Sequence, residues 1–458
     1  MADYETLRQR HVARFFETAP EHFERMTWPA ERLLAGREQR LRALLAHAQA
    51  RSPWHGRRLA DIDVSRLRES DLREVPVMTK DDLMENFDEV VTDRRLTRDV
   101  VEAHLAALST DAYLLDEYHV CASGGSSGRR GAFVYDFEGW VTAWASLARF
   151  LMRTTTEVLG AGGDPPVVAL IAADKASHMT SAFGQTFPVP GARFHRLPAT
   201  WPLARIVEAL NEIRPDSLQG YASVIQQLAG EAAAGRLRVA PRIVGTTSEP
   251  LLPEIREAVA TTWGVPILNA FGTTEGLMGA SCSAGRGIHL NDDVCIVEPV
   301  DAAGNPVLAG ERAAKLYLTN LYNLAMPLVR YELTDEVTVL GDPCPCGVTL
   351  LRVDDIQGRL DDCFAYPGGP TVHPFTFRSP LGRERGIVEY QVRQTARGAE
   401  ILVRCQGRVD TVRVAETIRS ALVGLGLTGA EVSVTPVEVL GRQSTGKLRR
   451  FVPLPDAR

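Results

Sequence analysis

The chain of 458 residues is 45% hydrophobic and 24% charged, with 57 acidic against 51 basic residues and a formal net charge of −6. That balance fits a globular protein large enough for two or three domains, and it excludes a disordered or collagen-like chain and a protein held to nucleic acid by bulk charge. Seven scattered cysteines do not make a disulfide scaffold, the opening MADYETLRQR lacks a signal-peptide layout, and no apolar run approaches ~18 residues. The expectation is a cytoplasmic protein with neither a membrane nor a nucleic-acid partner.

In chain order, residues 1–110 read as mostly helical, with Leu41, Leu44, Leu45 and Ala48 on one face. From about 110 to 270, short apolar runs alternate with amphipathic stretches. Ala132–Tyr135 precedes a helix bearing Val141, Trp144, Leu147, Ala148 and Leu151 on one side, and Val167–Ala173 suits a strand buried on both faces. A helix with Leu203, Ile206 and Leu210, the run Arg242–Gly245, a helix over Pro253–Trp263 and the run Pro266–Phe271 complete the series. This alternation predicts an α/β layered domain with a largely parallel sheet. Residues 285–345 read as a small β-rich subdomain and Tyr366–Pro374 as a loop. A C-terminal α+β unit comes next, with strands at Glu389–Gln394, Ala399–Cys405 and Glu431–Val439 and a helix over Val409–Val423.

Four segments carry candidate chemistry. Ser123, Gly124, Gly125, Ser126, Ser127, Gly128, Arg129 and Arg130 offer inward-turning amides, hydroxyls and cations that suit a phosphate, although such a stretch alone is an ordinary flexible loop. Asn269, Ala270, Phe271, Gly272, Thr273, Thr274 and Glu275 lie at the carboxyl end of a buried strand, where open α/β sheets hold ligands. There Thr274 can bond a phosphate and Glu275 a magnesium ion; a polar turn with a helix-capping Thr is the structural alternative. Asp335 ends an Arg-Tyr-Glu-Leu-Thr-Asp run, Arg359 opens Gly-Arg-Leu-Asp-Asp, and Lys447 lies in Ser-Thr-Gly-Lys near the end. Lys447 stands out because only Lys80, Lys175 and Lys315 are lysine besides it. Tyr135, His178, Phe183, Tyr221, Ser248 and Glu249 are candidate walls of a substrate pocket, with core packing or a loop position as the plain alternative.

In this order and spacing the segments resemble the adenylate-forming superfamily of acyl-CoA synthetases, adenylation domains and luciferases, and within it the phenylacetate–CoA ligase family most. Met326–Tyr331 (MPLVRY), Ser52-Pro53-Trp54 and Val75–Leu83 (VPVMTKDDL) look like further segments of that family. The resemblance implies a large N-terminal adenylate-forming domain over residues 1–358 and a small mobile lid over 359–458, hinged near Asp361. It implies ATP-dependent activation of a carboxylic acid, aromatic for preference, as an acyl-adenylate, then transfer to a second nucleophile, usually coenzyme A. By the same resemblance, Ser123–Arg130 would hold the β- and γ-phosphates, Thr274 the α-phosphate, Glu275 Mg²⁺ and Asp335 the ribose. Arg359 would contact ribose or phosphate, Lys447 would bridge phosphate and carboxylate, and a homodimer would be usual. Cys363–Phe377 departs from the family's pattern, which leaves an amine or another nitrogen nucleophile open as acceptor.

Cys282 and His289, with Cys344-Pro-Cys346, supply three thiolates and one imidazole, the donor set of a closed tetrahedral structural zinc site. Isolated free thiols are the alternative. A reading from another class, a zinc-containing scaffold with a degenerate adenylating fold, sits poorly with the presence of Lys447, Glu275 and Asp335 together.

Overall fold

The computed structural model describes residues 3–123, 131–160, 164–188, 191–284, 287–354, 356, 358–359, 362–384 and 386–454. The chain opens with helices α1 (Tyr4–Arg25), α2 (Ala30–Arg51), α3 (Pro53–Arg58), α4 (Lys80–Glu85), α5 (Phe87–Val90) and α6 (Arg98–Ala107). The stripe read on α2 is its buried face: Leu41, Leu44, Leu45 and Ala48 are inaccessible to solvent.

A hairpin of β1 (His119–Ala122) and β2 (Ala132–Tyr135) comes next, then α7 (Phe137–Leu159), β3 (Val167–Ala172), α8 (Met179–Thr186), β4 (Arg193–Pro198) and α9 (Leu203–Ile213). The series continues through β5 (Ser217–Tyr221), α10 (Ala222–Ala233), β6 (Ile243–Thr247), α11 (Pro253–Trp263), β7 (Ile267–Gly272), β8 (Met278–Ser281) and β9 (Ile288–Leu290). After these lie β10 (Cys295–Val300), β11 (Arg312–Ala313), β12 (Lys315–Asn320), β13 (Tyr331–Leu333), β14 (Val337–Thr338) and β15 (Arg352–Val353). The main sheet has the order β15-β9-β8-β7-β6-β5-β3-β4. From β7 to β4 it is parallel, and β8, β9 and β15 are added antiparallel.

The expected β subdomain over 285–345 is corrected in one respect. A β10-β12-β13 sheet forms there, but β9 belongs to the main sheet, paired through Gly279 with Leu290 and Ala280 with His289. The strands β4 and β5 went unread because neither is an apolar run. β4 is a polar edge strand, largely exposed, and β5 carries Gln219 and Gly220 in mid-strand.

Beyond residue 359 lie β16 (Phe364–Ala365), β17 (Thr371–Val372), α12 (Phe375–Arg383), β18 (Ile387–Thr395), β19 (Gly398–Cys405), α13 (Thr411–Gly424), β20 (Glu431–Pro436) and β21 (Phe451–Val452). The stretch read as a loop holds the return strand of the short β16–β17 hairpin. A separate apolar core, with Phe364, Phe377, Tyr390, Ile401, Ile418 and Phe451 in it, fills this unit. Among the described residues, no helix is long and apolar enough to cross a membrane.

One buried ion pair ties the layers together. Arg149 on α7 donates to both carboxylate oxygens of Asp293, at 2.9 and 2.5 Å, and to the carbonyl of His22 on α1 at 3.0 Å. Both side chains are at most 1% exposed. Burial alone would raise the Asp293 carboxyl, yet the guanidinium beside it holds it at about 2. Removing one partner of such a pair leaves a buried, uncompensated charge. Arg149→Met is therefore expected to lose ~3–5 kcal/mol of stability, read from the midpoint of denaturant unfolding.

Candidate active site

The site lies along the carboxyl ends of the parallel strands, where β7 turns into β8. Thr273 fixes that turn: its N–H donates to the Leu277 carbonyl at 2.9 Å, and its hydroxyl accepts from the Leu277 N–H at 3.3 Å. The Thr-Glu segment is thus a tight hairpin, and the alternative of a helix cap is set aside. Gly276 has φ +105°, and a Cβ there would run into the Asn320 amide and the Tyr322 hydroxyl, so this position admits no side chain. Asn320 Nδ2 donates to the Glu275 carbonyl at 2.9 Å, and the Tyr135 hydroxyl donates to the Thr274 carbonyl at 2.7 Å. These bonds hold the backbone of Thr274 and Glu275 and leave their side chains on the cavity wall.

Burial raises the Glu275 carboxyl, against the opposing fields of Arg359 and Lys80. Asp335 stands nearby, accepting from Arg359 Nε at 3.0 Å. The Coulombic field of Asp335 raises the Arg359 guanidinium still further. Ser123 and Gly131 close the neck of the β1–β2 loop: Ser123 N–H donates to Gly131 O and Gly131 N–H to Ser123 Oγ, both at 2.8 Å. Gly124, Gly125, Ser126, Ser127, Gly128, Arg129 and Arg130 lie outside the described residues, as does Asp361.

Lys447 reaches this wall from the C-terminal unit. Its ammonium lies 5.7 Å from the Tyr221 ring centroid, and burial lowers it to about 8 while Glu249 opposes the shift. Tyr221 is itself fixed, its hydroxyl accepting from the Ala173 N–H at 2.8 Å. His178 sits by Lys447, pushed down to about 3 by burial and by that ammonium, so it is neutral at ordinary pH. Gly446 makes the approach close enough: at φ +82° it packs against Ala199, where a Cβ would collide.

One cavity of about 2040 Å³ collects Ser123, Asn269 to Glu275, Asp335, Arg359, Lys447, His178, Phe183, Ser248 and Glu249. Tyr135 and Tyr221 support that wall from behind. Phe183 lines the cavity and also packs on Trp140, ring centroids 4.3 Å apart. Sequence reasoning passed over Lys80, whose Nζ is 3.5 Å from Ser123 Oγ and whose charge reaches Glu275. The signal was present in the scarcity of lysine, but nothing in the sequence aims the first residue of α4 at a loop 43 positions on.

Glu249 does something its motif did not suggest. One carboxylate oxygen accepts from the Ser223 N–H at the start of α10 and the other from the Leu448 N–H, each at 2.8 Å. Arg442 adds a bond to Ser223 Oγ at 2.9 Å, and Gln227 Nε2 donates to the buried Glu389 at 2.6 Å. The segment around Lys447 is therefore docked on α10 by a small set of polar bonds, with the Glu249 carboxylate bridging the two backbones.

Apart from this site, the cluster Cys282, His289, Cys344 and Cys346 has its ligand atoms all within 4.8 Å of one another. The Sγ atoms of Cys282 and Cys344 are 3.5 Å apart, and Cys346 Sγ is 3.4 Å from His289 Nε2. Four ligands at ~2.3 Å from a tetrahedral zinc stand roughly 3.8 Å from each other, so the donors fit such an ion. His289 Nδ1 faces the Leu350 carbonyl at 3.3 Å, which sets the tautomer that leaves Nε2 free to ligate.

The class emerges from the fold. A 2-hydroxyisobutyryl-CoA ligase in the postadenylation state, in complex with R3-HIB-AMP, superposes with a TM-score of 0.72 at 19% identity, over 94% of this chain and 91% of that one. The chain shares the fold of that ligase over nearly its whole length. In sequence, the phenylacetate–coenzyme A ligase of Thermus thermophilus is 26% identical over 398 residues, 84% of this chain and 81% of its own. That of Escherichia coli is 26% identical over 426 residues, 87% of this chain and 85% of its own. The protein is a relative of the phenylacetate–coenzyme A ligases along most of its length, and no protein-family model matches it.

If the Glu249 carboxylate docks the Lys447 segment, Glu249→Ala frees two backbone N–H groups that now donate to a charge, each bond worth ~1.5–3 kcal/mol. Hydrogen exchange over residues 443–450 should then speed up at least tenfold, while protection of β6 and β7 stays as in the parent protein.

Proposed function

We propose that the protein is an ATP-dependent, AMP-forming acyl–coenzyme A ligase. The observation that carries the reading is the arrival of Lys447, desolvated and borne by the C-terminal unit, at the same cavity wall as Thr274, Glu275, Asp335 and Arg359. Displacement at an α-phosphate asks for in-line positioning and neutralisation of negative charge more than for a covalent partner. In this reading Asp335 accepts from the ribose hydroxyls, with Arg359 orienting it, and Thr274 bonds the α-phosphate. Lys447 draws the substrate carboxylate onto that phosphate; a compact ammonium on a flexible stem suits the task better than a guanidinium fork. In this reading Ser123 and Lys80 face the outer phosphates. Glu275, whose burial makes a bare carboxylate costly, would hold Mg²⁺; bound there, the ion neutralises phosphate charge.

Residues 359–458 act as the lid, with the hinge near Asp361, and the docked Lys447 belongs to the adenylating arrangement. Leaving α10 would withdraw Lys447 and open the wall to the second nucleophile. Coenzyme A is the acceptor favoured by the named activity of the relatives, in sequence and in fold alike. The apolar residues of α7 on the cavity wall favour an acid with an apolar body.

ATP–pyrophosphate exchange with pooled carboxylates, coenzyme A left out, tests the reading. Exchange should appear with at least one pool, and Lys447→Ala should lower it ~10²–10³-fold with binding of ATP retained. Parental exchange in that variant would remove Lys447 from the reaction.

We also infer that Cys282, His289, Cys344 and Cys346 hold a structural zinc that clips the β8–β9 hairpin to the edge strand β15. Elemental analysis of metal-replete protein should give about one zinc per chain, and Cys346→Ala should lower both the zinc content and the melting temperature. Well under half an equivalent in the parent protein would sink this assignment.

A further inference from the structure

The cavity does not stop at the catalytic wall. Register across the sheet places Arg196, Leu170, Gln219, Gly245 and Leu268 in one row on one face, and all five line the cavity. The row nearer the catalytic end runs through Tyr221, Thr247 and Ala270, and the row behind carries Val168 and Phe194. The lumen therefore tracks the strands backward from Lys447 toward their amino ends, where Asp216 and Arg242 rim it.

The opposite wall is α7. Trp144, Leu147, Ala148, Leu151, Met152 and Leu159 line the cavity at successive turns of this helix. Fifteen residues of rise make that wall ~22 Å long. The two ends of α7 fix its direction. Its start comes just after Tyr135, which bonds Thr274, and its last residue accepts from Arg242 at the amino end of β6, Leu159 O to Nη2 at 2.9 Å. The space exists because the centre of the sheet face is small: Gly245 and Ala270 face the gap, and a Cβ on Gly245 would already press on the Gln219 side chain. The polar members of the row are engaged at its margin. Gln219 Nε2 donates to Ser217 Oγ at 3.0 Å, and Arg196 lies 5.4 Å from the Phe194 ring. Sites for single small ligands span roughly 300–1,000 Å³, so the cavity of about 2040 Å³ has room for the nucleotide and for a further ligand along α7.

We propose that the acid is a long, largely linear hydrophobic carboxylic acid, whose chain lies in the passage between α7 and the sheet while its carboxylate meets Lys447. The proposal rests on the ligase reading above and narrows its substrate. A compact aromatic acid would occupy the inner end and leave unused the wall from Leu151 to Leu159, which is apolar but for the hydroxyls of Thr155 and Thr156.

The test is ATP–pyrophosphate exchange with phenylacetate, hexanoate, decanoate and tetradecanoate in parallel. kcat/KM is expected to rise ~4-fold per methylene until the passage is filled, as burial of each CH₂ predicts. Leu151→Trp should move the optimum to shorter acids by raising KM for the longest. Met152→Trp, at a half-exposed position of the same wall, gives the same readout should the first variant fold poorly. Exchange with phenylacetate alone, indifferent to chain length, overturns the proposal and keeps the ligase reading. A rise in KM for coenzyme A rather than for the acid in both variants, read from coenzyme A-dependent release of AMP, also overturns it. Protein that binds ATP yet exchanges with none of the four acids nor with the pooled carboxylates sinks the ligase reading itself.

Discussion

The arrangement of this molecule turns on the carboxylate of Glu249. It lies at the carboxyl end of β6, after a left-handed turn at Ser248 (φ +65°), and it bridges the first turn of α10 to the backbone beside Lys447. A carboxylate at a helix amino terminus is favoured by the dipole and by unpaired N–H groups, so one side of the bridge is anchored whatever the lid does. The other side is the bond from the Leu448 amide, reinforced by Arg442 on Ser223 and Gln227 on Glu389. Lys447 is thus seated by polar bonds and not by a packed apolar interface, and the Glu249 charge keeps the buried ammonium from being pushed lower than about 8.

Much of this could be read from the sequence, and the divide is physical. Buried strands such as Val167–Ala172 and amphipathic helices such as Pro253–Trp263 leave a periodic trace because burial selects apolar residues at fixed spacing. An edge strand such as Arg193–Pro198 has only one neighbour and a wet face, so it leaves none. The cysteine cluster was legible because few side chains do what a thiolate does, and two short pairs of them had to find each other. Glu249 was legible as a site residue and illegible in its task, since its partners are backbone amides that no residue type marks. Lys80 was missed for a related reason: its meaning comes from the loop it faces.

The Thr274–Glu275 segment shows how the residues after an ambiguous motif resolve it. A polar Thr-Glu behind a strand reads equally as a helix cap. Here the next residues, Gly276 to Ser281, fold straight back as β8, because Gly276 alone can sit under Asn320 and Tyr322. The turn is fixed by backbone bonds from neighbouring elements, which spares the Thr and Glu side chains for the cavity.

A passage between a helix and a sheet is a weakness in a core, since unfilled space forfeits contacts that packed side chains would make. Beside the passage, α7 meets the sheet through Phe150, Leu151 and Leu159 on the cluster of Ile243 and Leu268, and polar anchors add to that packing. Arg149 on α7 reaches past the sheet edge to Asp293, and Arg153 one turn on donates to the Cys346 carbonyl at 2.5 Å, next to the cysteine cluster. The helix is thereby held to the domain by buried charge as well as by packing, which lets a cavity persist beside it in a stable domain.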